Sequence, residues 1–143
     1  MTLADLDVLI VDCQTTGASP HHGDVLEIGW TIARAEGPAG PVHAHRVSLP
    51  EGRTIPRVVS RLTGLVDESL TDAIPPDEAW RLVCAAAAEV ARARRPPGIA
   101  APMLHAQHPP RNAVPTPRAL APTVIHFARF ELAFLHDLHE RFD

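Results

Sequence analysis

Residues 8–17 limit what this chain can fold into more than any other segment, because an apolar run ends there in acidic, amide and hydroxyl side chains. The segment reads Val-Leu-Ile-Val-Asp-Cys-Gln-Thr-Thr-Gly. Aliphatic and β-branched residues favour a strand, and side chains alternate between its faces, so Asp12 and Gln14 point to one side and Cys13 to the other. Oxygen donors beside a glycine-containing turn suit Mg²⁺ or Mn²⁺ and allow close approach of a phosphate.

Three further motifs follow in order along the chain. The first is Leu-Glu-Ile-Gly at 26–29, inside a strand-like run that a Gly-Pro-Ala-Gly turn separates from the next run. The second is Leu-Thr-Gly-Leu at 62–65, after which prolines and acids at 73–80 open a long helix. The third, at 124–135, reads Val-Ile-His-Phe-Ala-Arg-Phe-Glu-Leu-Ala-Phe-Leu and joins an apolar strand to a helix that carries Glu131.

The order of these motifs resembles that of the DnaQ-like, or DEDD, 3′→5′ exonucleases, which have an RNase H-like fold. The resemblance implies an α/β fold with a mixed sheet, in which three antiparallel strands are joined by a parallel fourth and flanked by helices. A crossover through the long helix would set the fourth strand beside the first and bring Glu131 toward Asp12. The family's final strand and helix, with its third motif, are expected to be missing, because the chain ends at Asp143. We expect strands near residues 7–13, 25–35, 41–49 and 123–127, and helices near 56–62, 77–94 and 128–142.

The same resemblance implies roles for individual residues. Family enzymes hold two metal ions with four carboxylates, and here Asp12 and Glu131 are the expected ligands of Mg²⁺ or Mn²⁺. Gln14 stands where the family has glutamate, and because an amide carries no charge we expect weak metal binding. Asp12, Gln14 and Glu131 form the expected catalytic set. The residues expected to contact the substrate are Thr15, Thr16, Gly17, Thr63, Gly64 and His126.

Two functions are compatible with this pattern. The first is a 3′→5′ exonuclease-family domain that acts on nucleic acid 3′ ends through a two-metal site, weakened or inactive in this form; Asp12, the acid at 131 and the Thr-Thr-Gly turn favour it. The second is a non-catalytic nucleic-acid or protein interaction module derived from that family, which Gln14 favours. The expected partners are a single-stranded 3′ end, of DNA rather than RNA, and a polymerase, helicase or other nuclease of DNA replication or repair.

Composition limits the remaining possibilities. A length of 143 residues fits one domain, and a net charge of -4 argues against a broadly basic nucleic-acid binder. Two cysteines without metal-ligand spacing indicate a reduced, cytoplasmic setting, and no segment resembles a membrane span or a signal peptide. Residues 92–122 are dense in proline and contain several arginines, so we interpret them as a loop or insertion within the single domain 1–143. A basic tether that follows phosphates and a solvated linker are both open interpretations.

Other polar residues are alternative ligands. His43 and His45 share a strand face and could bind a transition metal, although an exposed polar face is the simpler interpretation because no third ligand is evident. Glu27 is expected to have a structural role near the site. The pairs interpreted as surface residues are His105 with His108 and His136 with His139.

Overall fold

One mixed sheet organises the protein, which a computed structural model describes at residues 6–93 and 120–143. Its strands are β1 (Val8–Thr15), β2 (Val25–Arg34), β3 (Gly37–Pro38), β4 (His43–Arg46) and β5 (Thr123–Ile125). The strand order is β3-β2-β1-β5, and β4 also pairs with β2. Strands β1 and β2 are antiparallel, whereas β5 runs parallel to β1. The predicted mixed α/β sheet, with the late strand placed beside the first, is confirmed.

The helices of the described residues begin and end close to the predicted limits. Helix α2 (Pro76–Ala93) starts with Pro76, Asp77 and Glu78. Helix N-termini favour these residues, because proline has no N–H to leave unpaired and acids complement the helix dipole. A short 3-10 helix at Asp67–Leu70 had no signal in the sequence pattern. The α-helices are α1 (Arg57–Thr63), α2 (Pro76–Ala93) and α3 (Ala128–Phe142).

The main core lies between one face of the sheet and helices α2 and α3. Strand β1 contributes Leu9, Val11 and Cys13, which are buried because alternate side chains share that face. Helix α2 buries positions at helical spacing, and helix α3 does the same. The buried helical residues are Ala79, Val83 and Val90 on α2 and Glu131, Phe134, Leu135 and Leu138 on α3.

A smaller core secures the region around α1. Leu26, Ile55 and Leu65 are buried together, so the segments on both sides of α1 are anchored to β2. The helix ends at Gly64, whose φ of 77° is left-handed and whose N–H donates to the Ser60 carbonyl over 2.8 Å. Glycine adopts that conformation without a side-chain clash, so the Thr-Gly pair ends the helix.

The predicted turn at 37–40 contains the short strand β3, which pairs with β2, and two other strands are shorter by more than one residue than the sequence predicts. The third was expected over 41–49, but the strand ends at Arg46. Beyond it only the Val47 N–H still donates to the Leu26 carbonyl of β2, while the Ser48 N–H donates to the Ile74 carbonyl in an isolated bridge. Strand β5 was expected to reach 127 and ends at Ile125, because Phe127 has a φ of 49° and precedes α3.

Several predictions fall outside the described part of the chain. Most of the proline-dense segment 92–122, with His105 and His108, lies there, so its interpretation and the single-domain organisation stay predictions. Within residues 6–93 and 120–143, no helix is long and apolar enough to span a membrane.

Candidate metal and nucleic-acid site

The candidate site is at the edge of β1 beyond the last residue of β5. The Leu9 N–H donates to the Pro122 carbonyl over 2.9 Å, and the Val11 carbonyl accepts from the His126 N–H over 3.3 Å. Odd-numbered residues of β1 therefore direct their backbone groups toward β5. Cys13 continues that series past the end of β5, so its N–H needs an acceptor from another element.

Glu131 supplies that acceptor from helix α3. Its Oε2 accepts a hydrogen bond from the Cys13 N–H over 3.3 Å. The residue lies on the inward stripe of α3, three and four positions before Phe134 and Leu135, and is only 2% exposed. Burial, with the negative charge of Asp12 as a second cause, raises the pKa of Glu131 to about 7. A buried carboxyl group beside a second one is a position that a cation would stabilise.

Asp12 and His126 complete the cluster on its solvent side. Their side chains are 54% and 80% exposed, and His126 Nδ1 lies 3.1 Å from Asp12 Oδ1. The same Nδ1 lies 3.9 Å from Glu131 Oε1. One donor atom from each of Asp12, His126 and Glu131 lies within 4.8 Å of the others. The predicted approach of Glu131 to Asp12 is therefore seen, and His126 lies close to both.

Gln14 extends the site along the other face of the sheet. With Asp12 and Glu27 it lines a cavity of about 240 Å³. Its Oε1 atom is buried and has no hydrogen-bond partner within the described residues. Gln14 lies directly across the ladder from Glu27, which is 3.9 Å from Arg46. Gln14 therefore adds no negative charge to the cavity that it lines together with Asp12.

The hydroxyls of the Thr-Thr-Gly turn are used to hold the turn. Thr15 Oγ1 donates to the Gly17 carbonyl over 2.7 Å, and Thr16 Oγ1 accepts from the Asp24 N–H over 2.9 Å. Gly17 packs against Gly23 so closely that a Cβ on Gly17 would lie 2.7 Å from the His22 carbonyl oxygen. These contacts give the residues a structural role, and their predicted contact with a nucleotide stays a prediction.

Thr63 and Gly64 have a similar structural role at the end of α1. Thr63 Oγ1 donates to the Val59 carbonyl over 2.9 Å and accepts from the Leu65 N–H over 3.1 Å. Neither residue belongs to the Asp12 cluster or to the lining of the cavity beside Gln14. Their predicted contact with the substrate stays a prediction.

His43 and His45 have an aromatic partner that sequence analysis missed. Each imidazole stacks on the indole of Trp30 with a centroid distance of 5.3 Å. The register explains this contact, since Trp30 pairs directly with His43 and Ile28 with His45, which puts both histidines on the face of Trp30. Within the described residues, the groups of three or more metal-binding side chains include neither histidine.

The donor set near Asp12 fits one divalent ion. Carboxylate oxygens from Asp12 and Glu131 and an imidazole nitrogen from His126 are ordinary ligands of a borderline divalent metal. Gln14, which lines the adjoining cavity with Asp12, adds no charge to this donor set. Four carboxylates for two ions, as the family resemblance implies, do not converge in the described part of the chain.

Comparisons with known proteins identify a shared fold. No family model matches the sequence, and no curated protein matches it. Among solved structures, one of exonuclease I has a TM-score of 0.62 over 95% of this chain and 24% of its own, at 11% identity. Exonuclease I of E. coli in complex with a dT13 oligonucleotide gives 0.61 over the same shares at 11% identity. The metal-free E. coli exonuclease I complex with single-stranded DNA gives 0.51 over 57% of this chain and 18% of its own, at 11% identity.

This chain therefore spans about a quarter of the length of the exonuclease I chains in the first two of these structures. At 11% identity the likeness shows a common α/β architecture.

Proposed function

We propose that this domain holds the 3′ end of a single-stranded nucleic acid at a divalent-ion site formed by Asp12 and Glu131, and that it hydrolyses that end slowly or not at all. The convergence of these two carboxyl groups at the edge of β1 carries the proposal. They come from a strand and a helix that are far apart in the sequence, and a core residue at position 131 would otherwise be apolar. The fold shared with exonuclease I supports the same conclusion.

The two carboxyl groups have different parts in this proposal. Glu131 is fixed by the Cys13 N–H and is almost fully buried, so it anchors an ion from the protein side. Asp12 is about half exposed, so it would hold the ion from the solvent side, where a phosphate would approach. A bound divalent ion, Mg²⁺ or Mn²⁺ as the resemblance suggests, would neutralise phosphate charge at this edge.

Weak catalysis follows from the charge of the site. Two-metal hydrolysis stabilises both the attacking and the leaving oxygen, and it depends on enough anionic ligands to hold two ions. Gln14 contributes a neutral oxygen beside Asp12, and Glu27 is paired with Arg46 at 3.9 Å. Binding of a strand end needs less than hydrolysis, because phosphate contacts and one ion are sufficient.

The ligands of exonuclease I and the exposure of His126 support a proposal for the substrate class. Exonuclease I has been solved with dT13 and with single-stranded DNA, so we propose single-stranded DNA for this domain also. His126 is exposed beside Asp12 and is proposed to contact the terminal nucleotide, with the Thr15-Thr16-Gly17 turn and the Thr63-Gly64 pair as further contacts. We also propose a polymerase, helicase or nuclease of replication or repair as a protein partner. A cytoplasmic location is a further proposal, which the free thiols of Cys13 and Cys84 support.

The second candidate is a non-catalytic interaction module. Gln14 favours it, since its uncharged amide occupies the position of an expected carboxylate and its oxygen has no hydrogen-bond partner among residues 6–93 and 120–143. In that case nucleic-acid binding would be independent of divalent ions.

An exonuclease assay separates these candidates from an active enzyme. A 5′-labelled oligonucleotide with a single-stranded 3′ tail is incubated with the protein and Mg²⁺ or Mn²⁺. We expect no measurable shortening with Mg²⁺, although the strand is bound in a salt-sensitive manner. A ladder of 3′-shortened products that Asp12→Ala abolishes would overturn the weak-catalysis proposal, and absence of strand binding at low salt would instead favour a protein-interaction role.

A further inference from the structure

His126 makes the candidate centre different from an all-carboxylate site. Its Nδ1 lies 3.1 Å from Asp12 Oδ1 and 3.9 Å from Glu131 Oε1. Ligand atoms at about 2.1 Å from a metal are separated by about 3 Å at right angles and by about 4.2 Å when opposite. Both separations lie within that interval, and the three donor atoms all lie within 4.8 Å of one another, so side-chain movements can bring all three to one ion.

We infer that Asp12, His126 and Glu131 form a single-ion centre in which His126 Nδ1 is a metal ligand, and that this centre prefers a transition ion such as Mn²⁺, Co²⁺ or Zn²⁺ over Mg²⁺. The inference rests on the proposed function, because it concerns the same site. Imidazole nitrogen suits transition ions, whereas Mg²⁺ binds oxygen ligands and keeps several waters. A nitrogen ligand therefore changes which ion is bound.

The backbone explains why His126 can take this position. Its N–H donates to the Val11 carbonyl, so the residue is held one step beyond the last paired residue of β5. Strand β5 ends at Ile125, just before His126, and α3 begins at Ala128, two residues after His126. The imidazole therefore lies at the open edge beside Asp12. The side chain is 80% exposed, so an incoming ion meets it together with Asp12 before it reaches buried Glu131.

The same nitrogen has two mutually exclusive roles. Without an ion, a neutral imidazole donates its Nδ1–H to the Asp12 carboxylate, which only accepts. If an ion were bound, Nδ1 would donate its lone pair to that ion. The ring proton would then be on Nε2, which it reaches by exchange with water. The Asp12–His126 hydrogen bond thus keeps the imidazole close to the position from which it would bind a metal.

Metal titration with matched variants tests the inference. Co²⁺ is titrated into the wild type and into His126→Ala, with visible absorption as the readout, and Mg²⁺ affinity is measured by calorimetry. We expect one high-affinity Co²⁺ per chain, a loss of at least about tenfold in Co²⁺ affinity in His126→Ala, and a change below about threefold for Mg²⁺. His136→Ala is the control, because that exposed histidine pairs with Glu140 on α3; it should bind Co²⁺ like the wild type.

A spectroscopic measurement identifies the nitrogen directly. Electron spin-echo modulation of bound Mn²⁺ should show a nitrogen signal in the wild type and in His136→Ala, and none in His126→Ala. Unchanged Co²⁺ affinity and an unchanged nitrogen signal in His126→Ala would overturn the inference. If Asp12→Asn and Glu131→Gln still abolished binding, the proposed function would survive that failure; if they bound Co²⁺ normally, both proposals would fail.

Discussion

Glu131 accepts a hydrogen bond from the backbone N–H of Cys13 over 3.3 Å, across the edge that β5 leaves open. The bond fixes a buried carboxyl group at the end of the strand that carries Asp12 on its other face. Glu131 from the helix layer and Asp12 from the opposite face of the sheet thus come together at one edge. That meeting is the structural basis of the candidate site.

The first prediction concerns stability and pH in the absence of metal. The pKa of Glu131 is raised from its ordinary value of 4.5 to about 7. The folded protein therefore binds this proton more tightly than the unfolded chain, and stability falls as pH rises from about 4.5 through about 7. Glu131→Gln removes this dependence and keeps an oxygen acceptor for the Cys13 N–H. We expect the variant to gain up to about 3 kcal/mol over wild type by pH 8, and little at pH 4.5.

Urea unfolding with EDTA at several pH values measures this difference. Glu89→Gln, on the exposed side of α2, is the control and should shift unfolding by less than about 0.5 kcal/mol at every pH. A Glu131→Gln variant that is less stable than wild type at pH 8 would show that the buried carboxylate is favourable without a cation.

The second prediction concerns position 14. Gln14→Glu replaces the unpartnered amide oxygen with a carboxylate in the cavity shared with Asp12 and Glu27. Added negative charge should lower stability without metal and raise Mn²⁺ affinity by about tenfold or more. Calorimetry with Mn²⁺ and thermal unfolding with and without Mn²⁺ check both effects. Equal Mn²⁺ affinities in the two proteins would remove position 14 from the metal site.

Local sequence patterns were enough to predict the parts of the site that depend on periodicity. Strand alternation separated Asp12 from Cys13, because that pattern is set by neighbours in the sequence. Helical spacing groups Phe130, Phe134 and Leu138 on one face of α3, where Phe134 and Leu138 are buried and Phe130 is partly buried. The approach of Glu131 to Asp12 came from the family resemblance, which supplied the order of the strands.

Features that depend on where distant segments meet could not be predicted. The bond between Glu131 and the Cys13 N–H exists because β5 ends at Ile125, and no local pattern sets that end. The stacking of Trp30 on His43 likewise depends on the register between β2 and β4. Single-sequence patterns give strand faces well, whereas strand ends and register require the tertiary structure.

The third prediction concerns the start of α3. Phe127 has a left-handed backbone with φ 49° and is 69% exposed, so a bulky side chain pays a conformational cost there without burial. Asparagine tolerates this conformation better than other residues with a side chain. We expect Phe127→Asn to stabilise the protein by about 1 kcal/mol in urea unfolding. Phe127→Ala should gain less, and an equal gain in both variants would argue against backbone strain as the cause.

The fourth prediction concerns the turn after β1. Gly17→Ala would put a Cβ 2.7 Å from the His22 carbonyl oxygen, so the two arms of the turn would have to separate. We expect a loss of about 2 kcal/mol in the free energy of unfolding. Gly40→Ala is the matched control, since nothing lies within 4 Å of its added Cβ. Similar stabilities of the two variants would contradict the close packing of Gly17 against Gly23.

The most direct test of the site is the affinity for a fluorescein-labelled single-stranded DNA with a free 3′ hydroxyl, measured by anisotropy with Mn²⁺ and with EDTA. In the wild type and in the control Glu89→Gln, we expect Mn²⁺ to tighten binding by at least about tenfold, which is about 1.4 kcal/mol. In Asp12→Asn and Glu131→Gln the gain should disappear, because each substitution removes one of the two carboxylates that meet at the edge of β1. An Mn²⁺-dependent gain of the same size in Asp12→Asn would contradict a metal-dependent strand site at Asp12 and Glu131.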